Sequence, residues 1–363
     1  MTRSAGFDRY VETLVRKWGE VPGGSDLSER NSSRRVLELS DGELLEFWDT
    51  QFASASELRG WYHRLYSELF AGRRVAEMGS GLGFDGIHFL GQGAQWTFCD
   101  IVEDNLHVIE RVVRLKGLKA KFLHIRNIAS FAGLESGLDF VWCDGSMHHA
   151  PFDIAAEEAH QLLARLKPGG RWIELVYPYE RWYREGEQSF ERWGESTDGR
   201  GTPWAEWYDT YKLKERLFPY QFRSLIDLQF SSNAYGWYDL EYTGKRYEFE
   251  RARVSLEPPR RELKTPKVMW SPAWSMDLPS NPFEVPASLH VACRVSQGSV
   301  GFVVEEDGRF VSREQIRDLR DAVHLIEIPV DRLGPGMKLL LRNASGHGAS
   351  KVRIESIELR PAL

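Results

Sequence analysis

The stretch RRVAEMGSGLGFDG, Arg73 to Gly86, sets four glycines behind a short apolar run, with Glu77 just ahead of the first of them. Val75, Ala76 and Met78 read as a strand that breaks at Gly79, and the run from Phe84 onward opens a helix. Glycine lets a backbone turn tightly and approach a ligand where a Cβ would clash. A strand, a bare turn and a helix mark the place where open α/β sheets hold nucleotide-type ligands, outside the carboxyl ends of the strands. Two ligand classes use such a turn. A dinucleotide needs G-x-G-x-x-G with its pyrophosphate at the helix N-terminus. Here the third glycine is displaced to Gly83, Phe84 follows it, and Glu77 would repel a pyrophosphate. S-adenosylmethionine carries no phosphate, and its ammonium and sulfonium suit a carboxylate at that place.

The same rhythm continues on the carboxyl side. QWTFCDI (95–101) reads as the next strand and ends at Asp100, and EDNLHVIERVVRLKG (103–117) reads as an amphipathic helix. KAKFLHIRN (119–127) is a third strand ending at Asn127, and LDFVWC (138–143) a fourth. PFDIAAEEAHQLLARLKPGG (151–170) reads as a helix closed by Pro and Gly, followed by a fifth strand, RWIELVYP (171–178). Strands alternating with helices predict a parallel sheet covered on both faces. RSLIDLQFSS (223–232) and GWYDLEYTG (236–244) then predict an antiparallel edge. On the amino side, residues 7–19 and about 43–71 show helical periodicity, with a polar loop, PGGSDLSERNSSRR (22–35), between them. Asp100, 23 positions after Glu77, is placed to accept hydrogen bonds from both ribose hydroxyls, and Asn127 to face the adenine amino edge.

Taken together, VAEMGSGLG, CDI, RNI, LDFVWCDGSMHHAP and LLARLKPGGRWIELVYP resemble the successive motifs of the class I S-adenosylmethionine-dependent methyltransferases. The resemblance covers residues 73–178, and the two later strands match the closing strands of that family. It implies a Rossmann-like α/β sheet of seven strands in the order 3-2-1-4-5-7-6, with strand 7 antiparallel. It also implies S-adenosylmethionine as cofactor, with Glu77, Gly79, Ser80, Gly81 and Gly83 around the methionine part. Asp100 and Ile101 would hold the ribose, Asn127 and Ile128 the adenine, and Asp144 and Gly145 would complete the site. The family often has Asp where Asn127 stands, although an amide can also bond adenine.

Methyl transfer to a hydroxyl or amine requires an aligned acceptor and a proton acceptor. His148 and His149 follow the fourth strand beside the expected methyl group, and imidazole titrates near neutral pH; His149 matches the commoner of the two positions. Asp144, His148 and His149 bring no further ligand cluster with them, so no metal is expected. Residues 179–221 interrupt the alternation with a long aromatic and charged insertion. As a lid over the acceptor, it would use Tyr177, Trp204, Trp207 and Tyr208 as walls, and Arg181, Arg184, Glu206 and Asp209 as polar contacts. Such a pocket suits a polar small molecule, with a sugar or glycosylated metabolite preferred over an amino acid or natural-product scaffold. A binding protein that keeps the cofactor fold without turnover is the reading from another class.

Three domains follow: a helical region at 1–70, the cofactor domain at 71–250, and an all-β sandwich at 263–363 behind the Pro- and charge-rich linker EPPRRELKTPK (257–267). The sandwich is similar in size and pattern to jelly-roll carbohydrate-binding modules, and serves equally well as a brace or a homo-oligomer contact. With 42% hydrophobic and 28% charged residues and a net charge of −6, the 363-residue chain lacks the basic excess of a nucleic-acid binder. No apolar run reaches the ~20 residues that span a bilayer. The amino terminus shows no signal-peptide pattern, and three scattered cysteines make no disulfide framework, so a soluble cytoplasmic protein is expected.

Overall fold

The structure, a computed structural model, describes residues 3–20, 32–248, 253–283, 285–318, 323–330 and 332–363. The chain divides into two compact units, Met1–Tyr247 and Glu248–Leu363.

The first unit opens with helices α1 (Arg3–Glu20), α2 (Ser33–Glu38) and α3 (Asp41–Phe70). Ser40 and Glu43 form a capping box that starts α3 by satisfying free amides of its first turn. The loop expected at 22–35 is helical from Ser33, while its residues 22–31 lie outside the described residues. Then follow β1 (Arg74–Met78), α4 (Phe84–Leu90), β2 (Gln95–Asp100), α5 (Glu103–Leu115), β3 (Lys121–His124), β4 (Leu138–Asp144), α6 (Phe152–Leu163) and β5 (Leu166–Val176). The helix expected to run to Gly170 stops at Leu163, and the Pro168–Gly170 segment lies inside the extended β5. Residues 179–221 are built of three short helices, α7 (Tyr179–Arg184), α8 (Phe190–Asp198) and α9 (Thr210–Leu217), before β6 (Tyr220–Phe230) and β7 (Tyr235–Arg246) close the sheet.

The seven strands lie in the order β3-β2-β1-β4-β5-β7-β6. β1 to β5 run parallel, and β7 lies antiparallel between β5 and β6. This is the order and sense of the class I methyltransferase sheet. Both faces are covered, which is why β1, β2 and β4 are buried almost end to end instead of alternating. Val75, Phe140 and Trp142 pack with α3, α4 and α5; Ala76, Val141 and Cys143 pack with α1, α6 and α9. Many of the aromatics serve this core: Trp96, Trp142, Trp172 and Trp237 are fully buried in it, while Trp193 is buried in a small cluster of its own with Tyr177 and Ala205. Buried charges are paired, Arg216 with Glu174 and Arg171 with Asp239.

The second unit is all-β. β8 (Val254–Leu256), β9 (Leu263–Lys264), β10 (Pro272–Asp277), β11 (Ala287–Gln297), β12 (Ser299–Glu306), β13 (Arg309–Phe310), β14 (Gln315–Asp318), β15 (Val323–Val330), β16 (Met337–Asn343) and β17 (Lys351–Pro361) make two antiparallel sheets. Leu289, Val291 and Ile357 of one sheet share a core with Phe302, Val304 and Leu339 of the other. The unit begins before residue 263, because β8 and β9 already pair with β17, so part of the expected linker is strand. No helix among the described residues is long and apolar enough to cross a membrane.

Candidate active site

The order of the sheet reverses between β1 and β4, and a cavity of about 440 Å³ opens at their carboxyl ends. That lies within the range of about 300–1,000 Å³ usual for small-ligand sites. The turn after β1 needs its glycines: Gly79, Gly81 and Gly83 have φ of 68°, 54° and 70°. A Cβ on Gly79 would stand 2.4 Å from that of Ser146, so the turn packs directly on the loop after β4. The amide of Gly81 donates to Asp100 (3.0 Å), whose other oxygen takes the amide of Val102 (2.8 Å). Burial raises the Asp100 carboxyl, and these amides oppose the rise.

Glu77, Gly79, Ser80, Gly81, Asp100 and Ile101 line the cavity, joined by Asp144 and Gly145 from the end of β4. Three residues expected here do not line it. Gly83 caps α4 and faces Ile109. Asn127 is exposed, and its side-chain oxygen is spent on the amide of Ser130, capping the 3-10 turn in which Ile128 packs against the core.

The cavity's electrostatics depend on residues that local pattern did not reveal. Arg59 of α3 bonds both Asp85 (2.8 Å) and Asp144, and Tyr62 donates to Asp144 (2.8 Å). His63 meets Asp85 at 2.7 Å. Asp85 stood in the quoted glycine stretch, whereas nothing local marked Arg59. Burial alone would raise the Asp85 carboxyl, but Arg59 and His63 hold it below the usual range. Burial pushes Asp144 up to about 7, with Asp85 adding to the rise and Arg59 opposing it. Glu158 of α6 is likewise pushed up to about 7 by burial, and burial with the nearby Asp85 holds Glu77 well above its ordinary value. The Trp96 indole donates to Glu77 at 2.8 Å.

On the other side the two histidines part company. His149 lines the cavity; its Nδ1 lies 2.9 Å from the Trp204 carbonyl and must donate to it, leaving Nε2 as the acceptor nitrogen of the neutral ring. His148 does not line the cavity: it is fully buried against Tyr177 and His149, and burial drives its pKa well below normal. It packs the loop after β4. Tyr177 and Arg181 also line the cavity.

The other expected acceptor contacts do not, because they are engaged within the insertion, in the core beneath the sheet or on the β6–β7 turn. Glu206 pairs with Lys212 (2.7 Å) and accepts from Trp204; Trp207 lies under Lys212 and against Tyr179. Tyr208 is buried beside Arg216, Asp209 caps α9, and Arg184 donates to Ser232. In their place the insertion contributes Thr197 and Asp198, α1 contributes Tyr10 and Trp18, and Tyr235 comes from β7.

No protein-family model matches the chain, and no curated protein matches it. Among solved structures, it is similar to an S-adenosylmethionine-dependent methyltransferase from Clostridium acetobutylicum (13% identity, TM-score 0.40, 54% of this chain and 99% of that one). It is also similar to a magnesium protoporphyrin IX methyltransferase from Synechocystis with bound S-adenosylmethionine (14%, TM-score 0.40, 64% and 97%). A third is an O-methyltransferase family protein from Burkholderia thailandensis (15%, TM-score 0.41, 66% and 72%). At such identities and scores the fold rests on the strand order itself.

Proposed function

We propose that this chain binds S-adenosylmethionine in the cavity and transfers its methyl group to a polar small molecule. The observation that carries this reading is the charge of the cavity. Glu77, Asp85, Asp100, Asp144 and Glu158 line it, with Arg59 and Arg181 as the arginines among them. Carboxyls that burial holds protonated ionise beside a cation and not beside an anion, so such a wall favours a ligand with a sulfonium and an ammonium over one with a pyrophosphate. The glycine turn agrees, since the Gly81 amide is given to Asp100 and not kept for a phosphate.

In this reading Asp100 keeps acceptor capacity for the ribose beyond the amides of Gly81 and Val102 and the side-chain amide of Asn105. Glu77 and Asp144 face the ammonium, and Arg59 the ligand's carboxylate. The cofactor supplies a methyl carbon already activated by its sulfonium. The protein aligns the acceptor, excludes water behind Trp18 and Tyr177, and takes a proton at Nε2 of His149. A sugar or glycosylated metabolite is one acceptor of the right polarity. Its expected platform of Trp204, Trp207 and Tyr208 is engaged elsewhere, so the reading is kept at a polar small molecule, amino acids and natural-product scaffolds included. Calorimetric titration with S-adenosylhomocysteine and with NAD tests it. Micromolar binding of the first and none of the second is expected; the reverse order overturns the proposal.

A further inference from the structure

We infer that the acceptor is an amine, taken up as its ammonium ion by Asp198. This rests on the methyl-transfer reading above and names the acceptor atom within it. Asp198 is the last residue of α8, and its carboxylate reaches the cavity with 12% of the side chain exposed. It accepts from the Tyr177 hydroxyl at 2.9 and 3.0 Å and stands 3.8 Å from Nε2 of His149. Trp18, Tyr177 and Tyr235 line the cavity with it. Trp18 lies 4.6 Å from His149, and Tyr177 lies 6.1 Å from both His149 and Tyr235, centroid to centroid. A carboxylate in a cavity that aromatic side chains also line suits an alkylammonium, which pairs with the carboxylate and is attracted to aromatic rings.

The other charges on this side strengthen the case. Arg181 donates to Glu185 (3.0 Å) and lies over the Tyr177 ring, so its charge is already balanced. Tyr10 is held neutral: burial, with Glu191 and Glu206 nearby, keeps its phenol well above the usual range. Among the described residues Asp198 is met by the Tyr177 hydroxyl and the His149 imidazole, and by no lysine or arginine. An ammonium brings this carboxylate a cation that an alcohol does not, and an acid would be repelled by it.

The chemistry closes on the same residues. The ammonium held by Asp198 gives one proton to Nε2 of His149, whose other nitrogen is committed to Trp204. The freed amine lone pair forms the N–C bond as the S–CH3 bond breaks and its electron pair stays on sulfur. The products are S-adenosylhomocysteine and a methylated ammonium, and His149 returns its proton to solvent.

The test uses the full chain saturated with S-adenosylhomocysteine and three probes of one shape: benzylamine, benzyl alcohol and benzoate. Benzylamine should bind roughly tenfold tighter than benzyl alcohol, and benzoate weakest. Asp198→Asn should erase that preference while S-adenosylhomocysteine affinity stays unchanged. If wild-type protein binds S-adenosylhomocysteine but shows no preference for benzylamine, absence of all probe binding included, the inference fails alone. An equal preference in Asp198→Asn overturns it too. If wild-type protein binds no S-adenosylhomocysteine, the methyl-transfer reading fails and takes the inference with it.

Discussion

Binding of S-adenosylmethionine should expel protons, because the ligand-free cavity stores them on crowded carboxyls. Asp144 and Glu158 are each pushed up to about 7, and Glu77 lies well above its ordinary value. The ligand brings two positive charges. One unit charge about 5 Å from a carboxylate, at an effective dielectric of about 20, is worth about 3 kcal/mol. That lowers a carboxyl pKa by about two units. Asp144 and Glu158 are each about half protonated at pH 7, so their release on binding should total roughly one proton, with any proton on Glu77 adding to it. Affinity should accordingly rise with pH, by roughly tenfold per unit around pH 6 to 7. Calorimetry at pH 7 in phosphate and in Tris, whose ionisation enthalpies differ, counts the protons directly. Asp144→Asn should lower the count by about half a proton, and S-adenosylhomocysteine, which lacks the sulfonium, should release fewer than S-adenosylmethionine. Equal heats in the two buffers, or proton uptake, would refute the electrostatic picture of the cavity.

Asp100→Asn should weaken S-adenosylhomocysteine binding by about 1.5–3 kcal/mol, tenfold or more in Kd, with the circular dichroism spectrum unchanged; wild-type affinity in a calorimetric titration would remove Asp100 from the ribose site. Between the ordinary carboxylate range and about pH 7, the folded chain keeps the Glu158 proton that the unfolded chain has released, so this group destabilises the ligand-free fold as pH rises. Glu158→Gln should therefore gain stability over wild type from about pH 4.5 to 8, by at most about 1.4 kcal/mol per pH unit, read from urea unfolding; a flat difference contradicts this. A chain ending at Tyr247, ahead of β8, should fold and bind S-adenosylhomocysteine with full-length affinity, since the seven-stranded sheet and the cavity lining both end before it. A folded but non-binding product would show that the second unit contributes to the site.

The parts of this protein that were legible in the amino-acid order are those written in local backbone geometry and burial. Gly79 and Gly81 announce left-handed turns that other residues rarely adopt, and the alternation of apolar strands with amphipathic helices announces a parallel sheet buried on both faces. Glu77, Asp100 and Asp144 could be placed because each sits at or next to the carboxyl end of a strand, which is where such a sheet opens. Asn127 lies outside the cavity lining because a short polar side chain before a helical turn also makes a cap, and here the cap prevails.

What only the tertiary structure decided is which side chains meet across long stretches of chain. Arg59 and Asp144 are 85 positions apart, and His149 touches the carbonyl of Trp204 55 positions on. Trp204, Glu206, Trp207 and Tyr208 have the composition of a binding wall, yet Trp204 bonds Glu206, Glu206 and Trp207 engage Lys212, and Tyr208 is buried in the core beside Arg216. Asp198 carries no local mark at all: it becomes a site residue because α8 ends beside Tyr177. Periodicity records whether a residue faces inward. Which partner it finds there depends on how helices pack on the sheet, and that is a property of the whole fold.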